Sequence, residues 1–301
     1  MSEVHVDVEG RTLRISNLDK VLYPRTGTTK GEVLNYYARV APVMLPHLRD
    51  RCVTRIRWPH GVEQDSFFEK NVPAGTPSWV RTAKVPTSGS RGGSRNGDHL
   101  VFPIVDDLAT LTWLANLAAL ELHVHQWTVG RNGQPRNPDR LVIDLDPGEP
   151  AGLPECAAVA LLVHEKLAER DLDCSPVLSG SKGLHLYAGL SGLPGRLNPE
   201  GTTALAKEVA EELQREHRDL VTASMTKAKR PGKVFLDWSQ NAGSKTTVSP
   251  YSLRGREVPT VAAPVTWQEV AAAEEDPLAL EQLRFEAVLE RVEEHGDLFQ
   301  P

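Results

Sequence analysis

The chain has 301 residues, of which 40% are hydrophobic and 25% charged, and its formal net charge is −6. That balance belongs to a globular protein of one large domain or about two ordinary ones, and it argues against a uniformly basic nucleic-acid binder. The longest apolar run, 157–163, falls far short of the roughly 18 residues a membrane span needs, and Cys52, Cys156 and Cys174 form neither a zinc pattern nor a disulfide framework, which points to a cytoplasmic protein with no membrane partner.

In chain order, Val4, Val6 and Val8, then Leu13 and Ile15, alternate around Glu9-Gly10, the pattern of a hairpin. Thr29-Lys30-Gly31-Glu32 has capping-box form and opens a helix whose apolar face runs through Val33, Tyr36, Tyr37, Val40 and Met44. Pro42 and Pro46 are expected to kink and end it. Residues 52–58 read as a strand, 87–98 as a mobile loop rich in Gly, Ser and Arg, and 107–120 as a helix. The second half then alternates: strand 140–146, helix 154–169, strand 175–179, turn 179–183, strand 184–190, helix 201–217 and strand 233–238. The order β-α-β-β-α-β is the split βαβ plan, with helices on one sheet face and the other face open for a ligand.

Charge is segregated along this frame. Residues 20–57 carry eight Lys or Arg against Glu32 and Asp50; residues 222–256 carry seven against Asp237; residues 269–297 carry ten acids against Arg284 and Arg291. Clustered positive charge on an acidic chain marks a local anion site, although solvated faces at different ends of the molecule give the same distribution.

Asp144 and Asp146 lie two apart on a predicted strand and so share a face with Val142, while Leu141, Ile143 and Leu145 point the other way. Alone, D-x-D reads more readily as a strand end and a turn. Asp237, inside the apolar word Val-Phe-Leu-Asp-Trp, shifts the balance, because an isolated carboxylate there is costly unless paired or metal-bound. Three such acids could hold two divalent cations, as phosphoryl-transfer enzymes do. The turn Ser179-Gly180-Ser181-Lys182-Gly183-Leu184-His185 supplies backbone N–H groups, a lysine and two side chains able to donate hydrogen bonds, a cradle for phosphate; it is not a Walker A loop, and an ordinary hairpin turn would look the same. Ser244-Lys245-Thr246-Thr247 and Ser252-Leu253-Arg254-Gly255-Arg256 add hydroxyls and cations suited to a triphosphate.

LVIDLDPG, SGSKGLHLY, KVFLDWSQNAGSKTT and PYSLRGR, in that order, with DKVLYP, GTTK, RIRWPHG and FFEK in the first half, resemble the polymerase domain of bacterial ligase D, of the archaeo-eukaryotic primase superfamily. The likeness covers nearly the whole chain. It implies an α+β fold in a single primase-polymerase domain: an N-terminal α/β portion (1–120), an RRM-like catalytic core (121–260) and C-terminal helices (261–301). It implies a DNA-repair polymerase or primase of non-homologous end joining, cytoplasmic and nucleoid-associated, that adds ribo- or deoxyribonucleotides from NTP or dNTP to DNA with 5′-phosphorylated ends or gaps. Ku and a ligase are candidate partners. Two ions, Mn²⁺ or Mg²⁺, would sit on Asp144, Asp146 and Asp237. Ser179, Lys182, His185, His123, Gln240, Ser244, Lys245 and Arg254 match nucleotide-binding positions. Lys20 and Lys30 match a pair that recognises a 5′-phosphate, Phe67 and Phe68 an aromatic pair against the template, and Arg57 and Arg230 further DNA-contacting positions. Ile56 stands where some relatives are expected to carry a basic residue, and the 87–98 loop is longer than the family pattern. No ligase K-x-D-G word and no nuclease module is present, so a stand-alone polymerase and an excised domain both fit. A two-metal nuclease and a non-catalytic end-binding module are the competing readings.

Overall fold

A computed structural model describes residues 3–86, 99–193 and 195–301; the 87–98 loop lies outside the described residues. The fold is mixed α/β. The chain forms two compact units: Met1–Arg136 with Val248–Val261 and Arg284–Gly296, and Asn137–Thr247 with Ala262–Leu283 and Asp297–Pro301.

In the first unit, strands Glu3–Val8 and Arg11–Ser16 pair antiparallel. Glu9 and Gly10 both take positive φ between them, as a tight hairpin turn requires. Helix Lys30–Leu48 starts on the capping box, with Thr29 and Glu32 bonding each other's backbone. Contrary to expectation it runs through Pro42 and Pro46 to Leu48. Tyr36, Tyr37, Val40, Met44 and Leu48 are essentially fully buried along it, and that packing outweighs the roughly 3 kcal/mol a helix-interior proline costs. Helix Leu108–Asn116 is capped by Asp107, whose Oδ1 accepts from Thr110 N at 2.7 Å. It stops four residues short of the expected Leu120: Ala118 turns left-handed (φ 57°), and Ala119–Val124 is a strand. That strand and Phe67–Glu69 flank Val53–Arg57, both antiparallel.

In the second unit, strand Arg140–Pro147, helix Leu153–Ala168, strands Cys174–Leu178 and Leu184–Gly189, helix Pro199–Glu216 and strand Val234–Asp237 follow the expected order. Numbered in that order, the four strands lie 4-1-3-2 across the sheet, with every neighbouring pair antiparallel. Val221–Thr222 and Ala263–Pro264 extend the two edges. Leu141, Ile143 and Leu145 are fully buried on the face away from Asp144.

That second face is not wholly open. At its Arg140 end the chain's last residues lie across it. Phe299 meets Tyr187 edge-on at 5.2 Å, the Arg140 guanidinium lies over both rings, and Gln300 N donates to Ser175 Oγ. Towards the other end Asp144 is half-buried and Asp146 is exposed. Among the described residues no helix is long and apolar enough to cross a membrane.

Candidate active site

The second unit gathers the acids. Antiparallel register sets Asp144 directly opposite Asp237 on one neighbour and opposite His185 on the other. His185 Nε2 stands 3.3 Å from Asp144 Oδ1, and His185 Nδ1 is buried with no hydrogen-bond partner among the described residues. Asp146 faces solvent at the strand end, opposite Phe235. Crowding by protein around its carboxyl, then the charges of Asp144 and Asp237, push its pKa up to about 6, against the opposing pull of His185 and Arg230. Arg230 therefore belongs to this neighbourhood; its guanidinium lies 3.6 Å over the Phe235 ring and donates to Met225 O.

Asp237 is held by the turn that follows it. Its Oδ1 accepts from Ser239 N (3.0 Å) and Ser239 Oγ (2.6 Å), and its Oδ2 accepts from Gln240 Nε2 (2.9 Å). Lys245 Nζ donates to Ser239 Oγ at 2.6 Å, so Lys245 reaches the acid through that serine. Three of the roughly four acceptor positions of the carboxylate are thus in use. Among the described residues no group of three or more His, Cys, Asp and Glu side chains is arranged to hold a metal ion. The acids share a sheet end, but they do not form a ready-made cage.

The glycine turn is built for close approach. Ser179 Oγ accepts from Ser181 N and Gly183 N, closing the loop on itself, and Gly180 takes φ 66°. A Cβ at Gly183 would sit 1.9 Å from Leu145 O, so any side chain there would push this turn off the aspartate strand. Lys182 extends outward to Glu149 at 3.2 Å, an exposed pair of little energetic weight. Ser244 is exposed.

The first unit holds a second group. Glu121, invisible to the motif reading, is 4% exposed; it accepts hydrogen bonds from His123 Nε2 at 2.7 Å and Gly255 N at 2.9 Å, and the Arg254 guanidinium pairs with it as an ion, Nε lying 3.2 Å from Oε1. Burial alone would raise its carboxyl, but the His123 hydrogen bond, the Arg254 charge and the Gly255 N–H hold it at about 2. Tyr23 and Tyr37 fix the same segment, through Arg254 O and Leu253 N. The spacing that marks the aspartates was there to be read: Glu121-Leu122-His123 also places two polar side chains on one strand face.

Lys20 and Lys30 line a cavity of ≈ 240 Å³ with Asn17, His60 and Asn116. Lys30 is buried, and its Nζ donates to Ser16 O (2.6 Å) and Asn116 Oδ1 (2.7 Å), leaving one of three donor positions for a ligand. Burial, then the neighbouring Lys20 charge, lowers its pKa to about 8. Phe67 and Phe68 are 46% and 59% exposed on their edge strand, so both of them are open to a ligand. Arg57 forks onto Glu69 (2.9 and 2.7 Å) beside the Phe67 ring, and the fully buried Arg55 joins the same carboxylate.

Comparison with known proteins gives a consistent answer. A family model described as the LigD primase-polymerase domain matches residues 29–299. The multifunctional non-homologous end joining protein LigD of Mycolicibacterium smegmatis is 45% identical over 96% of this chain and 36% of that protein. The bifunctional LigD of Bacillus subtilis is 34% identical over 94% of this chain and 43% of that protein. The chain therefore spans well under half the length of these curated relatives. The solved polymerase domain of Mycobacterium tuberculosis ligase D, in complex with DNA, superposes with a TM-score of 0.85 at 48% identity, covering 94% of this chain and 95% of that one.

Proposed function

This chain belongs to the LigD primase-polymerase domain family, and from that premise we propose that it extends DNA ends or fills short gaps with ribo- or deoxyribonucleotides, within non-homologous end joining. The observation that carries the reading is the pairing of Asp144 with Asp237 on one side and His185 on the other, with Asp146 two residues along the same strand. The 4-1-3-2 strand order supports an RRM-like core within one primase-polymerase domain.

Asp144, Asp146 and Asp237 would hold two divalent cations, Mn²⁺ or Mg²⁺. An all-carboxylate donor set suits hard cations, and Asp144 and Asp237 add their negative charge to the crowding that raises the Asp146 carboxyl. When bound, such ions lower the pKa of an attacking hydroxyl and neutralise charge on departing phosphates. The chain's own part is positioning and charge. Ser239 and Gln240 orient Asp237, and His185 braces Asp144 and would serve the nucleotide beside it. The Gly180 turn, Lys182, Ser244 and Lys245 would serve the triphosphate, as would His123 and Arg254, which Glu121 holds in place. Phe67 and Phe68 offer ring faces to template bases, worth roughly 1–3 kcal/mol per stacked base, with Arg57 and Arg230 as further DNA contacts.

The test is incubation of a gapped, 5′-phosphorylated primer-template with rNTPs or dNTPs in Mn²⁺ or Mg²⁺. Lengthening of the primer is expected. Shortening would replace the reading with a nuclease using the same acids; DNA binding indifferent to metal and nucleotide would replace it with a non-catalytic end-binding module.

Lys20 and Lys30 supply a separate prediction. Gapped DNA with a 5′-phosphate is expected to bind more tightly than its 5′-hydroxyl counterpart. The preference should fade as pH rises through about 8, where Lys30 loses its proton, and as salt rises. Equal affinity for the two ends at pH 7 and low salt, measured by fluorescence anisotropy, would remove both lysines from the site.

A further inference from the structure

The second unit also carries a groove of ≈ 560 Å³. One wall is the C-terminal end of helix Pro199–Glu216 and the residues after it, with Gln214, Arg215 and Arg218. The other is the short turn Lys227–Lys229 and its continuation, with Lys229 and Lys233. Among the described residues, four cationic ones line the groove and no acidic one does. Arg215, Arg218 and Lys229 are exposed, so their charges are presented to solvent. Lys233 donates to Arg218 O, which ties the two walls together. Glu212 and Glu216, on the same helix, are engaged by Arg170 and Lys166 instead.

The plain explanation, basic residues complementing the negative end of a helix, covers Arg215 and Arg218. It does not cover Lys229 and Lys233, which come from a different segment and line the same space. A chain of net charge −6 that sets four cations around one groove has concentrated an anion-binding surface there. The turn is also two-sided: Lys229 lines the groove, while the next residue, Arg230, acts on Asp146. A strand of phosphates on this groove would therefore share its wall with the acid cluster.

We propose that this groove binds the phosphate backbone of a DNA strand outside the nucleotide-addition site. The proposal rests on the reading of the chain as acting on DNA, but not on the roles given to the aspartates. Its recognition is electrostatic and sequence-independent, because the charged side chains lining the groove would meet phosphates.

The test compares the full chain with an Arg218→Gln/Lys229→Gln double variant, both positions being exposed. Affinity for a labelled single-stranded oligonucleotide is measured from 50 to 200 mM salt. Each lost phosphate contact should flatten the plot of log K against log salt by about 0.7. The double variant is expected to flatten it by about 1.4, while nucleotide addition at saturating primer-template stays at the wild-type rate. An unchanged slope, with the wild type binding DNA, overturns the groove and leaves the polymerase reading intact. A wild type that binds no DNA overturns both.

Discussion

Asp146→Asn is expected to lower nucleotide addition by on the order of 10²–10³-fold, the scale of losing one preorganised element of charge stabilisation, and at the same time to raise thermal stability at neutral pH. The second effect follows from the carboxyl's displacement from 3.8 to about 6, caused by crowding around it and by Asp144 and Asp237. Between those values the folded chain holds a proton that the unfolded chain has released. Folding therefore gains as pH falls through 6, and above 6 the ionised group costs stability. The variant's Tm should exceed the wild type's at pH 8, the gap should narrow through pH 6, and it should close near pH 4. Added Mn²⁺ should raise the wild-type Tm more than the variant's, because a ligand of the folded state stabilises in proportion to its occupancy. Differential scanning fluorimetry across pH, with and without metal, reads all of this. A lower Tm for the variant at pH 8, or a gap indifferent to pH, would mean that neither crowding nor the charges of Asp144 and Asp237 raise the Asp146 carboxyl.

Much of this arrangement was readable from short-range rules. The capping box at Thr29 and Glu32, the hairpin at Glu9-Gly10 and the D-x-D face are set by residues a few positions apart, and each formed as its spacing implies. What escaped is non-local or a contest between terms. Pro42 and Pro46 are helix breakers by local steric rules, yet the buried face around Tyr36, Tyr37 and Met44 keeps the helix intact past both. The apolar run through Leu117 and Leu120 fits a helix or a buried strand equally, and the left-handed Ala118 decides it. Asn241 accepts from Val142 N and donates to Val142 O, 99 residues away, and so braces the aspartate strand from its flank. Nothing in the word Trp-Ser-Gln-Asn announces that role. The last residues, read as part of a helical tail, instead place Phe299 on Tyr187 and close one end of the sheet face.

Glu121→Ala carries the largest expected effect on stability. The carboxylate is buried with Arg254 and His123 on either side, and removing it leaves their polar groups facing a void with little access to water. Breaking a buried pair in this way costs about 3–5 kcal/mol. An independent route gives a similar size, since displacement of the carboxyl from 4.5 to about 2 corresponds to roughly 3 kcal/mol. The sign is that of a depressed acid: the contribution is whole above pH 4.5 and is lost as pH falls towards 2. Urea unfolding of wild type and variant should therefore show a constant difference from pH 8 to pH 5 that shrinks below 4.5. Glu121→Gln separates stability from positioning. Its amide oxygen can still accept from Gly255 N and Arg254, so it should fold with a smaller loss, but Arg254 loses its countercharge and is freer to move. If Arg254 and His123 meet the incoming triphosphate, KM for the nucleotide should rise in the Gln variant by more than kcat falls. A Gln variant with wild-type KM would detach this trio from the nucleotide and leave Glu121 a purely structural carboxylate; an Ala variant as stable as wild type would deny it even that.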